Sequence, residues 1–366
     1  MIPFLNLGAQ SRKYQEELHS ATEEVLKSGN FIGGNAVKEL EENLQSDVGV
    51  RFAISCASGT SALQLSLKAL GLKPGDEVIV PDYTFIATAE AVALEGGVPR
   101  FADVNEHFLI SPESVLERIS EKTVGIIAVD LFGECADYPR LKEIAAEHHL
   151  WILEDAAQSF GAFQNGRAAG SLATIAATSF FPTKPFGSFG DGGAVFTDDP
   201  KLAEKVRQFA NHGKDATDIY ADLGTNSRLD AVQAAVLNVK RKHFAEELAR
   251  RRENAAAYDA FFRGRSGFQI PEIACGNTSI YAQYALRIQD RDEFVRKMNL
   301  CEIPTRIYYE RNLSLEPCFA RFPSAAKDFC GNKNAYQLTQ SVCCLPICAF
   351  TDVEEILQRI KTVLKS

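Results

Sequence analysis

The stretch Ser179-Phe-Phe-Pro-Thr-Lys-Pro-Phe-Gly-Ser-Phe-Gly-Asp-Gly-Gly193 places one lysine, Lys184, in a loop rich in glycine and phenylalanine. An apolar run precedes it, and four phenylalanines would be poor composition for a mobile surface loop. We therefore expect the loop to exclude water, which disfavours the ammonium form of the lysine and makes its amine available as a nucleophile. The alternative is an ordinary surface lysine. The stretch lacks the Gly-x-x-x-x-Gly-Lys-Ser/Thr pattern, so a P-loop nucleotidase is not supported.

Upstream of this loop, strand-like and helix-like segments alternate. Apolar runs predict strands at 52–57, 77–81, 98–104, 124–131 and 150–154, with helical segments between most of them. This alternation predicts parallel βαβ units and a sheet covered by helices on both faces. Downstream, a long helix over about 228–262 is followed by a strand at 279–288 and helices at 291–299 and 352–364. We predict a large domain at 1–245 and a small C-terminal domain at 246–366.

Two further motifs follow predicted strands, where the ligands of open α/β sheets collect. Ala57-Ser-Gly-Thr-Ser61 precedes a helix, so its glycine and the free amides of the first turn could bind a phosphate. The alternative for this motif is simple N-capping. Trp151-Ile-Leu-Glu-Asp-Ala-Ala-Gln-Ser159 ends its strand in two carboxylates, Glu154 and Asp155. Successive side chains of a strand alternate in direction, so only one carboxylate can face a given site, unless this end is simply solvent-exposed.

Composition narrows the function classes. The chain has 366 residues and a net charge of −9, which argues against a nucleic-acid partner. It shows neither a signal-peptide pattern at its N-terminus nor an apolar run long enough to span a membrane. The nine cysteines form no Cys-x-x-Cys pair and the six histidines form no metal pattern. We therefore expect a cytoplasmic protein with reduced thiols, no metal and no membrane partner.

A series of motifs, in order along the chain, resembles the DegT/DnrJ/StrS sugar aminotransferases. The motifs are Phe31-Ile-Gly-Gly34, Ser58-Gly-Thr-Ser-Ala-Leu63, Pro74-Gly-Asp-Glu-Val-Ile79, Tyr83-Thr-Phe-Ile-Ala-Thr88, Glu154-Asp-Ala-Ala-Gln-Ser159, Ser179–Gly193 and Gly224-Thr-Asn-Ser-Arg-Leu-Asp230. The resemblance covers essentially the whole chain. It implies the aspartate aminotransferase-like fold, fold type I of the enzymes that depend on pyridoxal 5′-phosphate (PLP). In that fold a mixed, mostly parallel α/β sheet lies between helices in a large domain, and a small α+β domain follows.

The resemblance also implies a role for each matched position. Lys184 would hold PLP as a Schiff base and, once freed by the amino donor, would carry a proton between substrate and cofactor. Asp155 would pair with the pyridinium nitrogen. The remaining contacts would be Gln158 at the phenolic oxygen, Phe85 on the ring face, Gly59, Thr60 and Ser179 at the phosphate, and Asn226 at the phosphate of a neighbouring subunit. The minimum active unit would then be a homodimer, with Arg228, Tyr308 and Tyr309 near the substrate.

Within the family, the segments Ser279–Tyr284, Cys135–Asp137 and Thr178–Pro185 resemble enzymes that aminate UDP-2-acetamido-2-deoxy-3-oxo-glucuronate. This implies L-glutamate as amino donor and a place in surface polysaccharide or lipopolysaccharide O-antigen synthesis. Those enzymes tend to have His-Tyr where this chain has Tyr308-Tyr309, so amination of a different UDP- or dTDP-linked 3-keto or 4-keto hexose is the alternative. The family fold could also serve a PLP-dependent sugar dehydratase, which would have histidine at position 184, or a catalytically silent relative.

Overall fold

A computed structural model describes residues 2–364 of the chain. Over the first part of the chain short strands alternate with helices, as the apolar runs predict. The elements of this part are α1 (Leu7–Lys13), α2 (Gln15–Ser28), α3 (Gly34–Val48), β1 (Phe52–Cys56), α4 (Gly59–Ala69), β2 (Glu77–Pro81), α5 (Ala87–Leu94), β3 (Val98–Ala102), α6 (Pro112–Arg118), β4 (Thr123–Val129), α7 (Tyr138–Glu147) and β5 (Trp151–Asp155).

The second part of the chain contains the longest helix. Its elements are β6 (Phe163–Gln164), β7 (Arg167–Ala168), β8 (Ile175–Ser179), β9 (Gly193–Thr197), α8 (Pro200–Ala210), α9 (Ala231–Phe262), β10 (Phe268–Gln269), β11 (Asn277–Thr278), β12 (Tyr284–Ile288), α10 (Arg291–Leu300), α11 (Pro323–Phe329), α12 (Lys333–Ser341), β13 (Val342–Leu345) and α13 (Val353–Val363). The strand expected at 279–288 begins only at Tyr284, because the amides of Ile280 and Ala282 bond instead to the carbonyls of Gly133 and Phe132.

The central sheet has seven strands in the order β1-β9-β8-β5-β4-β2-β3. Strand β9 is antiparallel to both of its neighbours, whereas β8, β5, β4, β2 and β3 are mutually parallel. This confirms the predicted mixed, mostly parallel sheet. In register, Asp155 of β5 lies opposite Ala177 of β8. The carboxyl ends of β2, β4, β5 and β8 consequently share one edge of the sheet, where the predicted site residues begin.

Strand alternation sends neighbouring side chains of the sheet into two different cores. Val80, Ile127 and Leu153 pack with α4, α5 and α8 on one face. Their neighbours Ile126 and Ile152 pack with α7 on the other face. Both faces are therefore covered by helices, as expected for parallel βαβ units.

A further core surrounds a smaller sheet of order β10-β12-β13. Tyr258 and Phe262, near the end of α9, pack there against side chains of β12, α10 and α13. Ile2, near the N-terminus, joins this core, whereas Leu313 and Phe319 pack in the core of the large sheet. The division at residue 245 stays a prediction; α9 runs through that position without a break. Among residues 2–364, none of the helices has the length and apolar character that crossing a membrane requires.

The register of β4 against β5 gives a test of the packing. Gly125 lies opposite Trp151, and a Cβ at Gly125 would come within 2.2 Å of the indole ring. We predict that Gly125→Ala lowers the free energy of unfolding by about 1–3 kcal/mol, because the half-buried indole ring of Trp151 has to shift. Thermal or urea denaturation measures this. Gly8→Ala in helix α1 is the control: only the flexible Arg12 side chain lies near it, so unchanged or slightly higher stability is expected. Equal stability of both variants would contradict the packing at Trp151.

Candidate active site

Lys184 lies in a loop that leaves the sheet at the end of β8 and returns at the start of β9. The loop is closed at its base, where the Ser188 amide donates to the Phe180 carbonyl at 2.7 Å. The Lys184 amide donates to the Phe181 carbonyl at 2.8 Å, which forms a turn around the lysine. Phe180 and Phe186 are buried beneath the loop, whereas Phe181 and Phe189 are largely exposed. The expected exclusion of water therefore holds for the floor of the loop, and this burial lowers the pKa of the Lys184 amine.

Helix α9 supports the outer limb of the same loop. The buried Lys240 ammonium donates to the Gly187 carbonyl at 2.6 Å and lies 4.7 Å from the centre of the Phe189 ring. The side chain of Gln233 accepts a hydrogen bond from the Phe189 amide at 2.9 Å. Burial lowers the pKa of Lys240 to about 8. In the sequence Lys240 is one of two lysines in a long helix, with Lys242, and nothing there distinguishes it.

Asp155, at the end of β5, is close enough to Lys184 for their charges to interact. One carboxylate oxygen accepts from the Thr88 hydroxyl at 2.9 Å, and the other accepts from the Ala157 amide at 3.2 Å. Burial raises the pKa of Asp155, and the Thr88 bond, the Ala157 bond and the Lys184 charge oppose that rise. Sequence reasoning missed Thr88 as a partner, although it ends one of the motifs that carried the family resemblance.

Glu154 points to the opposite face of the sheet. Its carboxylate accepts hydrogen bonds from the amides of Gly170 and Leu172 and is completely buried. Burial raises the pKa of Glu154 to about 7. Of the two carboxylates at this strand end, only Asp155 is therefore available to a ligand beside Lys184.

The turn before α4 adjoins the end of β8. The Ser58 hydroxyl caps α4 by accepting from the Ser61 amide at 3.0 Å, as the capping interpretation of this motif expects. A Cβ at Gly59 would lie only 2.7 Å from the Cβ of Ser179, so the first turn of α4 touches the residue that begins the Lys184 loop. The Gly59 and Thr60 amides at this helix start and the Ser179 hydroxyl thus form one cradle that suits a phosphate.

Gly193 brings these segments together. It pairs with Cys56 of β1 on one side and with Ser179 of β8 on the other. A Cβ at Gly193 would come within 2.5 Å of the Ser58 carbonyl group. Only a residue without a side chain lets the α4 turn approach β8 this closely.

An aromatic wall borders the same edge of the sheet. Phe85 exposes 53% of its surface, and its ring centre lies 6.3 Å from that of Tyr309. The Gln158 side chain accepts from the Phe132 amide at 3.0 Å and donates to the Tyr309 hydroxyl at 3.3 Å. With the phosphate cradle and the Lys184–Asp155 pair, these groups offer a planar, phosphorylated aromatic ligand a charge partner, a stacking face and an anion site. The residues present therefore fit PLP.

Three predicted site residues need separate description. Asn226 and Arg228 are exposed, and the Arg228 guanidinium donates to the side-chain oxygen of Asn226 at 2.8 Å. They line an open cavity of about 550 Å³ with Ser58, on the outer side of the phosphate cradle. Within residues 2–364 no hydrogen bond joins either of them to the Lys184 side of the cradle. Tyr308 is half-buried beside Tyr309. A larger cavity of about 650 Å³, between α2, α3 and α9, contains none of the predicted site residues.

Nearly the whole chain matches one known family, because residues 12–364 match the DegT/DnrJ/EryC1/StrS aminotransferase family. The chain belongs to this family. It is 41% identical to the UDP-2-acetamido-2-deoxy-3-oxo-D-glucuronate aminotransferase of Pseudomonas aeruginosa, over 97% of this chain and 98% of that protein. It is 37% identical to the UDP-N-acetyl-3-dehydro-alpha-D-glucosamine 3-aminotransferase of Acidithiobacillus ferrooxidans, over 100% and 97% of the two chains.

Solved structures show the same fold. A DegT/DnrJ/EryC1/StrS aminotransferase from Brucella abortus superposes with a TM-score of 0.93 at 35% identity, with all of both chains covered. NtdA from Bacillus subtilis, solved with bound cofactor PMP, superposes with a TM-score of 0.90 at 29% identity, over 100% of this chain and 85% of that one. The predicted fold, cofactor and enzyme class are thereby confirmed: this member of the family is a PLP-dependent nucleotide-sugar aminotransferase. The roles of its individual residues stay predictions.

The close approach at Gly193 generates a test of the phosphate cradle. We predict that Gly193→Ala weakens PLP binding at least tenfold, because an added methyl group pushes the α4 turn away from Ser179. Equilibrium titration of the cofactor-free protein, followed by PLP absorbance, gives the Kd. Gly190→Ala is the matched control in the same loop, since its Cβ would meet only the flexible Gln233 side chain, at 3.0 Å. Equal PLP affinity of the two variants would show that the cradle does not depend on this approach.

Proposed function

We propose that this aminotransferase moves the amino group of L-glutamate to the C3 keto group of UDP-2-acetamido-2-deoxy-3-oxo-glucuronate. The observation that carries the proposal is the 41% identity, over nearly the full length of both chains, to the P. aeruginosa enzyme of that name. The arrangement of Lys184 and Asp155 around a phosphate cradle supports the chemistry. We place the reaction in the cytoplasm, in the synthesis of a surface polysaccharide such as lipopolysaccharide O-antigen.

Lys184 would act through its amine. Bound PLP supplies an electron sink for charge that develops on the substrate carbon. Burial favours the neutral form of the Lys184 amine, so its Nζ can attach the cofactor covalently and, when free, accept a proton from that carbon and return it to the cofactor side. The lysine has to return to the same place in each cycle. The closed base of its loop and the Lys240 bond to Gly187 hold that loop in position.

Asp155 and the surrounding groups would orient the cofactor. An ionised carboxylate at Asp155 would face the ring nitrogen and favour its protonated form, while Thr88 fixes the carboxylate from the side. Gln158 would donate to the phenolic oxygen and Phe85 would cover one ring face. The phosphate would lie against Gly59, Thr60 and Ser179.

The second subunit of a homodimer would complete the site. Asn226 and Arg228 lie outside the phosphate cradle of their own chain, in a segment that also exposes apolar side chains such as Leu223, which is 82% exposed. Exposed apolar surface of this kind is typical of a protein interface. In the homodimer we propose, Asn226 would reach the phosphate bound by the neighbouring subunit and Arg228 would approach the substrate there.

A second candidate substrate has one observation in its favour. The sequence resemblance implies a histidine at position 308 in enzymes that aminate the 3-oxo-glucuronate sugar, whereas this chain has Tyr308. The Tyr308 ring lies beside the Tyr309 ring, with centres 5.7 Å apart. In the proposed site it would face the substrate. The A. ferrooxidans relative acts on a 3-keto sugar whose name includes no uronic acid. A UDP- or dTDP-linked keto hexose without a carboxylate is therefore the alternative substrate class.

An amination panel tests the proposal. The PLP-loaded enzyme and L-glutamate are incubated with UDP- and dTDP-linked 3-keto and 4-keto sugars, with and without a C6 carboxylate, and products are detected by mass spectrometry. We predict the highest kcat/KM for the UDP-linked 3-keto uronic acid. Lys184→Ala should abolish complete turnovers, whereas the matched variant Lys242→Ala, at an exposed lysine of α9, should retain wild-type activity. A higher kcat/KM for a keto hexose without a carboxylate would contradict the proposed uronic acid substrate and favour the alternative class. Full activity of Lys184→Ala would overturn the proposed role of the lysine.

A further inference from the structure

A buried hydroxyl links the turn after β2 to the Tyr308–Tyr309 segment. Tyr83 is completely buried, and its hydroxyl donates to the Tyr308 carbonyl and accepts from the Tyr309 amide at 3.0 Å. Both hydrogen-bonding functions of the hydroxyl are thus used on one peptide unit of a segment more than two hundred residues away. Burial raises the pKa of Tyr83 far above its usual value, so the hydroxyl remains a donor at any working pH.

The peptide that Tyr83 holds carries the Tyr309 ring. That ring meets the Tyr83 ring edge-on, with centres 6.0 Å apart, and it lies beside Phe85. Its hydroxyl accepts from the Gln158 amide, whose other end is fixed by the Phe132 amide. A continuous series of contacts therefore runs from the Tyr83 hydroxyl through Tyr309 to Gln158.

A neighbouring carboxylate fixes the next part of the same segment. The Asp82 carboxylate accepts from the amide and the hydroxyl of Ser314, each at 2.7 Å, and from the Asn332 amide at 2.9 Å. The Leu313 amide donates to the Asp82 carbonyl at 3.0 Å. These bonds secure residues 312–314 to the large sheet without touching Tyr308 or Tyr309. The attachment of the segment and the placement of the Tyr309 ring can consequently be separated by mutation.

We propose that Tyr83 is a positioning residue, which sets the place of the Tyr309 ring and, through it, the orientation of the Gln158 amide at the edge of the cofactor. The inference rests on the proposed function, since it takes Gln158 as the partner of the PLP phenolic oxygen. Without the Tyr83 hydroxyl, the Tyr308 carbonyl and the Tyr309 amide lose their partner and the ring can shift. A shift alters the acceptor that holds Gln158 and so changes the electrostatic environment of the cofactor ring. Small displacements of such groups reduce rates strongly.

The test compares Tyr83→Phe with Tyr258→Phe. Tyr258 is also completely buried, and its hydroxyl donates to the Pro346 carbonyl at 2.8 Å, in the core of the smaller sheet. Each variant loses one buried oxygen and one bond to a carbonyl. The first readout is the pH midpoint of the visible absorbance of the lysine-bound cofactor, in the absence of substrate. The second is the decay of that absorbance with L-glutamate, which gives a limiting rate and a half-saturating concentration.

For Tyr83→Phe we expect a midpoint shifted by about half a pH unit or more and a limiting rate lowered about tenfold, with a smaller change in half-saturation. Tyr258→Phe should match the wild type in both. Tyr309→Phe removes only the hydroxyl that accepts from Gln158, so it should show the same midpoint shift. This variant tests the inference even if Tyr83→Phe does not fold. The inference would be overturned if the midpoint of Tyr309→Phe were unshifted, or if Tyr83→Phe behaved like Tyr258→Phe. Either result would leave the proposed function intact. A wild-type protein without the lysine-bound absorbance would overturn the proposed function as well.

Discussion

The site depends on the close packing at Gly193. There β1, β8 and the turn before α4 lie so close together that no side chain fits. At Gly193 the sheet pairs β9 with both β1 and β8, and the Ser58 carbonyl group lies only 2.5 Å from where a Cβ would be. The same approach brings Gly59 against Ser179, so a helix N-terminus and a strand end form one cradle. The Lys184 loop starts at that cradle and ends at Gly193. Its two ends are therefore fixed by the sheet before any ligand binds.

The chemistry of the site follows from how charge is buried around this loop. Burial weakens the ammonium form of Lys184, while Asp155 retains three features that favour its ionised form: the Thr88 hydroxyl, the Ala157 amide and the charge of Lys184. Lys240 brings a second buried amine to the outer limb, but its hydrogen bond ends on the Gly187 carbonyl. In the proposed mechanism Lys184 would be the lysine that reacts, and Lys240 would support its loop. Because the sheet and the loop already hold these charged groups in place, they need not reorganise when the reaction occurs.

Local patterns predicted much of this arrangement. Apolar runs located β2 and β5, and strand alternation predicted that only one of Glu154 and Asp155 could face a ligand. The Ser179–Gly193 stretch predicted a loop around Lys184 with a water-excluding floor, and the buried Phe180 and Phe186 form that floor. The rest depends on contacts between distant parts of the chain: Lys240 on Gly187, Tyr83 on the Tyr308–Tyr309 peptide, and residues 313–319 on the large sheet. The hydrophobic periodicity of a segment predicts its secondary structure, but it does not show which distant residues the segment contacts. Asn226 likewise lies outside the cradle of its own chain, and the role proposed for it depends on the proposed second subunit.

The covalent attachment of the cofactor is the central claim, and its position can be read directly. Borohydride reduction of the PLP-loaded protein fixes the lysine-bound cofactor, and proteolysis with mass spectrometry then locates the modified residue. The account predicts pyridoxyl label on the peptide that contains Lys184 and on no other. Label on Lys240, the other buried lysine of this loop region, or the absence of any stable label would contradict it.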